Sequence, residues 1–294
     1  MLRRHGLRRG WTTVRLMSGL GNQLFQYAAG RRVADRTGTK LRFDISFFSS
    51  EPNREYALGD YRIRAELVDG DHKTQAFMDE VETERAYAEQ RYGATFVRQG
   101  LETPTEELLA TAPRNSYLAG YWIGERYFAP EASAAVRREL RPRRTDAIDA
   151  GSALISAAQQ SVAVHVRRGD MVTDPDTAER FGSMPARYYE RAAGYIAERR
   201  PGCEFFVFSD DPEWCEQTLD LPGPMRVMSG ETEPFEDLAL ISRCAHVVVP
   251  NSTFSWWGAW LGEDSNSLIV VPSLPYRDEH ATSGTGYPSR WIRV

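Results

Sequence analysis

Two adjacent arginines, Arg167 and Arg168, follow a valine-rich run of the sequence and precede Gly169 and Asp170. Guanidinium groups bind phosphate oxygens through paired hydrogen bonds, and a glycine lets the backbone approach a ligand closely. The combination therefore suits a pyrophosphate whose charge is neutralised without a metal ion. A surface arginine pair bridged to Asp170 explains the same residues. His165 joins the candidate site, with a structural histidine as the alternative interpretation.

A serine and two carboxylates, Ser209, Asp210 and Asp211, stand at the end of a second apolar run and before Pro212. Such side chains can bind ribose hydroxyls, or they can hold an arginine of the first group. An ordinary helix N-cap followed by proline at the first helical position is the alternative. The sequence leaves this choice open.

Four short hydrogen-bonding side chains crowd a third turn, between an apolar run and a helical stretch: Asn251, Ser252, Thr253 and Ser255. Free backbone N–H groups at the start of a helix attract anions, so this turn is predicted to seat a phosphate. Capping the helix would need only one of the four side chains. The helical stretch also contains three tryptophans whose spacing predicts a place in the core: Trp256, Trp257 and Trp260.

A glycine turn follows the first predicted strand, and four of its residues are candidates for a ligand-binding cleft: Gly19, Gly21, Asn22 and Gln23. The turn is similar to the dinucleotide fingerprint GxGxxG but has Leu24 in place of the third glycine. Asp44 lies near the distance at which that fingerprint has an acidic residue. An NAD-dependent dehydrogenase is therefore a competing interpretation, which the arginine and serine sites disfavour.

The overall charge argues against a nucleic-acid partner, because 36 lysine and arginine residues stand against 41 aspartate and glutamate residues, a net charge of −5. Two segments match the DxD pattern of metal-dependent sugar transferases: Asp69-Gly70-Asp71 and Asp174-Pro175-Asp176. So short a pattern in polar loops is expected by chance. We therefore expect neither a metal ion nor another cofactor.

Three widely spaced cysteines, Cys203, Cys215 and Cys244, predict neither a disulfide nor a zinc site. No stretch approaches the roughly 18 apolar residues of a membrane span, and the start has no apolar signal segment. A cytoplasmic protein is expected. Five arginines lie near the start of the chain: Arg3, Arg4, Arg8, Arg9 and Arg15. They indicate either a frayed, solvated terminus or peripheral contact with an anionic membrane surface.

The second half of the sequence alternates short apolar runs with helix-like stretches about five times. Valine-rich runs of this kind are typical of strands buried on both faces, and the alternation predicts a parallel, doubly wound sheet. Ligands bind at the carboxyl ends of such strands, where the unusual polar residues fall. The strands are predicted at 161–166, 204–208, 225–228, 245–249 and 268–271.

The first half is less regular. Strands are predicted at 12–17 and 40–45, with a helix between them at 22–36, whereas residues 49–100 are predicted to form helices and loops. A further helix is predicted at 132–140. A chain of 294 residues favours two domains, and we place their boundary near residue 150.

Five motifs, in this order and spacing, resemble those of the α-1,2-fucosyltransferase family and span nearly the whole chain. They are GLGNQLFQYAAG at 19–30, GYWIGERYF at 120–128, HVRRGD at 165–170, FSDDPEW at 208–214 and NSTFSWWGAWLG at 251–262. The resemblance implies an α/β, GT-B-like fold, with two Rossmann-like domains whose parallel sheets face a central cleft. Residues 1–150 would form the N-terminal acceptor-side domain, and residues 151–294 the C-terminal GDP-fucose-binding domain.

The resemblance further implies GDP-β-L-fucose as the donor, a galactose-containing glycan as the acceptor, transfer to a 2-hydroxyl with inversion, and no essential metal. The donor site would include His165, Arg167, Arg168, Ser209, Asp210, Asp211, Asp237, Asn251, Ser252, Thr253 and Ser255. The arginine pair and the serine turn would stabilise the leaving pyrophosphate, and Asp237 would accept hydrogen bonds from guanine.

The general base stays open between Asp170 and the leaving phosphate. Two alternatives remain for the protein as a whole. One is an enzyme like the α-1,6- or protein O-fucosyltransferases, which share a more distant likeness in Arg167, Arg168 and the serine turn. The other is a non-catalytic carbohydrate-binding protein, which would keep the fold but would not need a metal-free pyrophosphate site.

Overall fold

The computed structural model describes residues 10–51, 53–69, 81–100, 106–228, 232–274 and 286–294, without the side chains of residues 170, 176, 177 and 180. The chain forms two compact units, Met1–Leu140 (unit 1) and Arg141–Val294 (unit 2). The first helix of unit 2 begins at Asp146 because the hydroxyl of Thr145 accepts a hydrogen bond from the backbone N–H of Ile148 at 3.2 Å.

Unit 1 contains a parallel sheet of five strands. They are β1 (Trp11–Arg15), β2 (Lys40–Asp44), β3 (Glu66–Val68), β4 (Thr95–Arg98) and β5 (Ser116–Ala119), in the order β3-β2-β1-β5-β4. Its α-helices are α1 (Leu20–Thr37), α2 (Val81–Tyr92), α3 (Glu106–Thr111) and α4 (Ser133–Glu139). Single 3-10 turns lie at Ser46–Ser49 and Glu125–Tyr127.

Two strands, β3 and β4, lie in the segment for which the sequence predicted only helices and loops, so that prediction was wrong in part. Both strands form edges of the sheet and are only three and four residues long. Most of their side chains are exposed or half-buried. Such strands lack the run of buried side chains by which a strand is recognised in a sequence.

Unit 2 contains a parallel sheet of six strands. They are β6 (Gln160–Val166), β7 (Cys203–Ser209), β8 (Met225–Val227), β9 (His246–Val248), β10 (Ile269–Val271) and β11 (Ile292–Arg293), in the order β11-β10-β9-β6-β7-β8. The helices are α5 (Asp146–Ala157), α6 (Gly169–Thr173), α7 (Pro175–Arg180), α8 (Ala186–Arg199), α9 (Pro212–Thr218), α10 (Pro234–Ile241) and α11 (Thr253–Gly262).

The five strands predicted in this half are confirmed, and so is the parallel doubly wound arrangement. The buried face of β6 explains the strength of the signal, since Val162, Val164 and Val166 are fully buried in the core. The predicted burial of the three tryptophans of α11 is also confirmed, with 1%, 0% and 2% of their surfaces exposed at Trp256, Trp257 and Trp260.

Each sheet reverses its strand order at one point. In unit 2 the chain runs outward from β6 through β7 to β8 and then continues on the other side of β6 with β9, β10 and β11. In unit 1 the reversal lies between β1 and β5. In doubly wound sheets the ligand crevice forms outside the carboxyl ends of the strands at such a reversal. The topology therefore marks one ligand-binding edge in each unit.

Candidate functional site

Arg168 lies just beyond the carboxyl end of β6, at the strand reversal of unit 2. Its Nε donates a hydrogen bond to Oδ2 of Asp211 at 2.9 Å, and its guanidinium lies 4.1 Å from the ring centre of Trp214. Among the described residues, no hydrogen-bond partner occupies its two Nη nitrogens. The guanidinium is therefore oriented along one edge and across one face, and its Nη edge can receive an anion.

Asp210 holds the backbone of the same turn. Its two carboxylate oxygens accept hydrogen bonds from the backbone N–H of Arg168 at 2.8 Å and of Gly169 at 3.0 Å. A side chain at Gly169 would place its Cβ 2.7 Å from Asp210 Oδ2, so the glycine is needed for this approach. The carboxylate thus ties the turn after β6 to the turn after β7.

Asp211 has two roles at the start of α9. Its Oδ1 accepts a hydrogen bond from the backbone N–H of Trp214 at 3.2 Å, while its Oδ2 holds Arg168. Ser209 supports the turn, since its Oγ accepts a hydrogen bond from the N–H of Asp211 at 2.9 Å. The hydrogen bond from Arg168 lowers the pKa of Asp211, which keeps its carboxyl ionised. The N-cap and the arginine-holding role therefore coexist, and binding of ribose hydroxyls stays a prediction.

The four polar residues around the start of α11 lie just after β9, beside the carboxyl end of β6. Ser252 is the N-cap residue, yet its buried Oγ has no hydrogen-bond partner among the described residues and does not cap the helix. Asn251 donates to the carbonyl of Gly182 at 2.8 Å, whereas its buried Oδ1 is unpaired within the same part of the chain. Thr253 begins the helix, and Ser255 Oγ donates to the carbonyl of Ser252 at 3.4 Å.

His165 is buried in β6, and its ring centre lies 5.2 Å from that of Phe254 in α11. Burial, reinforced by the positive charge of Arg167, lowers its pKa to about 3. The imidazole is therefore neutral at physiological pH. Its Nδ1 is a third buried polar atom without a hydrogen-bond partner in the described part of this region, besides Ser252 Oγ and Asn251 Oδ1. Unpaired buried polar atoms are costly, so their concentration here marks a place where a polar ligand can bind.

Asp237 lies in the first turn of α10 and is half-buried. Its Oδ1 accepts a hydrogen bond from Oγ1 of Thr232 at 2.7 Å. Burial raises its pKa to about 6, with a smaller contribution from the negative charge of Glu236. The side chain of Asp170, in α6, lies outside the described part of the chain, so its predicted catalytic role stays a prediction.

The glycine turn of unit 1 follows β1 and starts α1, with Gly19 as the N-cap and Gly21 buried in the first turn. Gln23 is fully buried, and its side chain is used within the unit. Its Nε2 donates to the carbonyls of Ser18 and Glu55, at 2.9 and 2.8 Å, and its Oε1 accepts from the N–H of Ala57 at 2.9 Å. Gln23 therefore holds the turn in place. Asn22 binds Ser18 Oγ through Nδ2, but its Oδ1 has no partner among the described residues.

Asp44, the acidic residue that favoured a dehydrogenase, is fully buried at the end of β2. Its Oδ1 accepts from the N–H of Ser46, and its Oδ2 accepts from the hydroxyls of Tyr92 and Tyr117, all at 3.0 Å. Burial raises the pKa of both tyrosines, so both phenols keep their protons and donate. Leu24 is also fully buried. Neither side chain can contact a ribose, and the dinucleotide interpretation is wrong.

Arg15 corrects the interpretation of the basic start of the chain. It is buried at the end of β1, with its Nη1 2.8 Å from Glu84 Oε1, and is not part of an exposed patch. The other four arginines, Arg3, Arg4, Arg8 and Arg9, lie outside the described residues. Within the described ranges, no helix has the length and apolar character needed to cross a bilayer.

The side chains described by the structure contain no group of three or more histidines, cysteines, aspartates or glutamates that could hold a metal ion. In the first DxD match, Asp69 accepts a hydrogen bond from Ser49 at 3.0 Å, and Gly70 and Asp71 lie outside the described residues. In the second, the side chain of Asp176 lies outside them. The three cysteines are buried and not paired in disulfides.

The sequence pattern of glycosyl transferase family 11 matches residues 97–294. The chain belongs to this family. The resemblance to the α-1,2-fucosyltransferases is thereby confirmed, and this family 11 protein is a glycosyltransferase.

Similar proteins are named as glycosyltransferases, two of them with an α-1,2 linkage in the name. An alpha-1,2-colitosyltransferase from Escherichia coli is 27% identical over 290 residues, which cover 96% of this chain and 98% of that protein. The O-antigen biosynthesis glycosyltransferase WbnK from Escherichia coli is 38% identical over 114 residues, 38% of each chain. Galactoside alpha-(1,2)-fucosyltransferase 1 from Lagothrix lagotricha is 30% identical over 117 residues, which cover 39% of this chain and 32% of that protein.

Solved structures confirm the fold. NodZ alpha-1,6-fucosyltransferase co-crystallized with GDP, an enzyme from Bradyrhizobium, matches with a TM-score of 0.52 and 16% identity, covering 86% of this chain and 92% of that chain. A mutant of Arabidopsis thaliana FUT1 in complex with GDP matches with a TM-score of 0.53 and 13% identity, covering 88% and 70% of the two chains. The family 11 protein therefore has the predicted GT-B fold.

Sequence reasoning missed Trp214 as part of the site. The ring of this residue packs against the guanidinium of Arg168. From the sequence alone, Trp214 was predicted only as part of a helix. Its position three residues after the N-cap Asp211 was the available signal, since residues at the N-cap and three positions later lie on one end of a helix. Trp214 thus orients the arginine that the sequence did identify.

Proposed function

We propose that this protein transfers L-fucose from GDP-β-L-fucose to the 2-hydroxyl of a galactose residue in a glycan, with inversion at the anomeric carbon and without a metal ion. Membership of glycosyl transferase family 11 supports glycosyl transfer. The name of the relative from Lagothrix lagotricha supports a galactoside acceptor and the α-1,2 linkage. Unit 2 is proposed to bind the donor, and unit 1 the acceptor.

The orientation of Arg168 carries the proposal. Asp211 and Trp214 occupy its Nε edge and one face, so that the Nη edge is presented at the strand reversal of unit 2. A guanidinium presented in this way fits two oxygens of a phosphate. In glycosyl transfer the departing nucleotide diphosphate gains negative charge, which a preorganised cation stabilises. Arg168 is therefore the residue proposed to take the place of a divalent cation.

The start of α11 supplies a second group of donors for the same pyrophosphate. The backbone N–H groups of its first turn are available to an anion, and Ser252 Oγ lies unpaired beside them in the described region. The neutral His165 has an unpaired Nδ1 in the described part of this region, which can donate in one tautomer, whereas the unpaired Oδ1 of Asn251 is an acceptor and fits a hydroxyl or N–H group of the donor. None of these groups adds a negative charge beside the diphosphate.

Asp237 is proposed to bind the guanine base, because an ionised carboxylate can accept hydrogen bonds from both N–H groups on one edge of guanine. Its pKa of about 6 makes this contact pH-dependent. Lowering the pH from 7 to 5 protonates the carboxyl and should weaken GDP binding about tenfold through this residue. The phosphates of GDP also titrate, so calorimetry of the wild-type protein is compared with Asp237→Asn, which lacks this component.

Asp237→Asn, which should weaken GDP binding at pH 7, is expected to raise the stability of the folded protein at the same pH. The pKa of Asp237 is higher in the folded state, about 6, than in an unfolded chain, about 3.9. The contribution of this carboxyl group to the free energy of unfolding is therefore complete below the unfolded-state pKa and is lost as the pH rises through about 6. We expect Asp237→Asn to melt a few degrees higher than the wild type at pH 7.5 and equally at pH 4. Parallel pH profiles of GDP affinity in both proteins would remove Asp237 from the donor site.

A second candidate donor is GDP-colitose, because the relative that aligns over nearly the whole chain is named an alpha-1,2-colitosyltransferase. The two donors are distinguished by measuring kcat/KM for each with one galactoside acceptor. The proposal predicts the higher value for GDP-fucose. A higher value for GDP-colitose would replace the donor and leave the rest of the mechanism intact.

Metal independence is tested with purified protein, GDP-fucose and lactose, with and without EDTA. We expect the rate of GDP release to be the same in both reactions, because Arg168 and the start of α11 neutralise the pyrophosphate. Loss of most activity in EDTA and its recovery with Mn²⁺ would contradict this part of the proposal. A protein that binds GDP but transfers fucose to none of a panel of galactosides would contradict the proposed acceptor.

A further inference from the structure

The loop that follows β5, Gly120 to Gly124 (the β5 loop), has an unusual backbone. Three of its five residues have positive φ angles: 155° at Gly120, 54° at Trp122 and 117° at Gly124. The value at Trp122 matters most, because a bulky side chain rarely adopts the left-handed region. Such strain persists only where the surrounding structure holds it, and it concentrates at sites of function.

Gln99 holds the β5 loop in this conformation. Its Oε1 accepts hydrogen bonds from the backbone N–H of Tyr121 at 2.9 Å and of Trp122 at 2.7 Å, and its Nε2 donates to the hydroxyl of Tyr127 at 3.1 Å. A Cβ at Gly120 would lie 2.5 Å from Cβ of Gln99. The loop is therefore a packed and hydrogen-bonded element whose shape is set by unit 1.

The strained backbone directs two neighbouring aromatic side chains in opposite ways. Trp122 is fully buried against Tyr127, with ring centres 5.7 Å apart. Tyr121 is 45% exposed, and it is the only aromatic residue among the exposed large hydrophobic side chains of the described ranges. A hydrogen-bonded loop thus holds one aromatic ring in a fixed place at the surface, and tyrosine, with its apolar ring and polar hydroxyl, is enriched at binding interfaces.

The position of the β5 loop is the ligand-binding edge of unit 1. The loop begins at the carboxyl end of β5, beside β1, where the strand order of the sheet reverses. The turn after β1 lies at the same edge, and it contains a second non-glycine residue with positive φ, Ser18 at 66°. Asn22 Oδ1, in that turn, has no hydrogen-bond partner among the described residues.

We propose that the β5 loop is a saccharide-binding element and that Tyr121 is the platform on which a pyranose ring of the acceptor stacks. One face of a pyranose consists of C–H groups and packs on an aromatic ring, while its hydroxyls need acceptors such as an amide oxygen. Tyrosine supplies this contact area with little loss of side-chain freedom. The inference rests on the proposed function, in which unit 2 binds the donor and unit 1 the acceptor.

The test measures saccharide binding directly, so that it does not depend on turnover. Lactose and methyl β-D-galactopyranoside are titrated against the full-length wild-type protein and against Tyr121→Ala and Tyr121→Phe, with saturation-transfer NMR as the readout. We expect Tyr121→Ala to weaken binding about tenfold, the loss typical of one aromatic contact. Tyr121→Phe keeps the ring and should bind like the wild type.

Leu154→Ala is the matched control, since Leu154 is an exposed large apolar residue in α5 of unit 2, the unit that is not proposed to bind the acceptor. It should leave saccharide binding unchanged. GDP affinity is measured on the same samples. Absence of GDP binding would contradict the proposed function alone, whereas equal saccharide affinity of Tyr121→Ala and the wild type, or no saccharide binding by the wild type, would overturn the role of the β5 loop.

Discussion

Replacing Arg168 with alanine is expected to lower kcat by about 100- to 1,000-fold, the loss typical of one preorganised donor to a developing charge. The donor KM should change much less, because the contact strengthens as the pyrophosphate leaves. Arg168→Lys should recover only part of the rate, since an ammonium restores charge but cannot form two parallel hydrogen bonds. Steady-state kinetics with varied GDP-fucose and saturating acceptor measure both parameters.

Arg144→Ala is the matched control for this substitution. Arg144 is an exposed arginine of unit 2 whose Nη2 lies 2.7 Å from Asp149 Oδ2. Its replacement removes the same kind of side chain and the same kind of ion pair as Arg168→Ala. An exposed pair of this type contributes little to stability, and kcat should stay near the wild-type value. A folded Arg168→Ala protein with near-native kcat would remove Arg168 from the mechanism.

Replacing Asp210 with alanine should lower kcat/KM for the donor about 100-fold, although this carboxylate is not expected to touch the reacting atoms. The substitution removes two charge-assisted hydrogen bonds to the backbone of Arg168 and Gly169, each of which stabilises the turn by about 1.5 to 3 kcal/mol. The turn then loses its tie to β7, and the guanidinium loses its position.

A positioning role for Asp210 makes a further prediction that a purely structural role does not. Asp210→Ala should cost much less in an Arg168→Ala background, since only a correctly placed arginine has activity to lose. Asp149→Ala, an exposed carboxylate that also holds an arginine, serves as the control in both backgrounds. Equal losses with and without Arg168 would show that Asp210 acts through overall stability, as melting temperatures would then confirm.

The strands of unit 2 could be predicted because their physical signal is local. β6 and β7 are buried on both faces, and their apolar runs, 162–164 and 205–208, are visible in the sequence. The edge strands of unit 1 have no such runs, because most of their side chains face solvent and need not be apolar. Their pairing with β2 and β5 is decided by tertiary contacts that no short segment contains.

In the candidate site, too, some features could be predicted from local sequence and others depend on tertiary contacts. The polar residues that follow strands, such as Arg168 and Ser252, could be named from their positions. The carboxylate that pairs with Arg168 could not be singled out, because the sequence offered both Asp170 and the pair Asp210 and Asp211. The parallel register of β6 and β7, which places Val166 opposite Ser209, brings Asp211 to the arginine.

Asp44 illustrates why a motif can mislead. Its spacing from the glycine turn matched a dinucleotide site, but its carboxylate is taken by the hydroxyls of Tyr92 and Tyr117. Those tyrosines come from distant parts of the chain, and a fully buried carboxylate that already accepts three hydrogen bonds is out of reach of a ribose. Only the three-dimensional arrangement separates the two outcomes.

The chemical structure of the product is the sharpest test of the proposed transfer reaction. Purified protein is incubated with GDP-β-L-fucose and lactose in EDTA, and NMR of the isolated trisaccharide assigns the linkage position and the anomeric configuration of fucose. We expect α-linked fucose on the 2-hydroxyl of galactose. A β-linked product, a fucose on any other hydroxyl, or the absence of transfer to lactose and every other galactoside tried would contradict it.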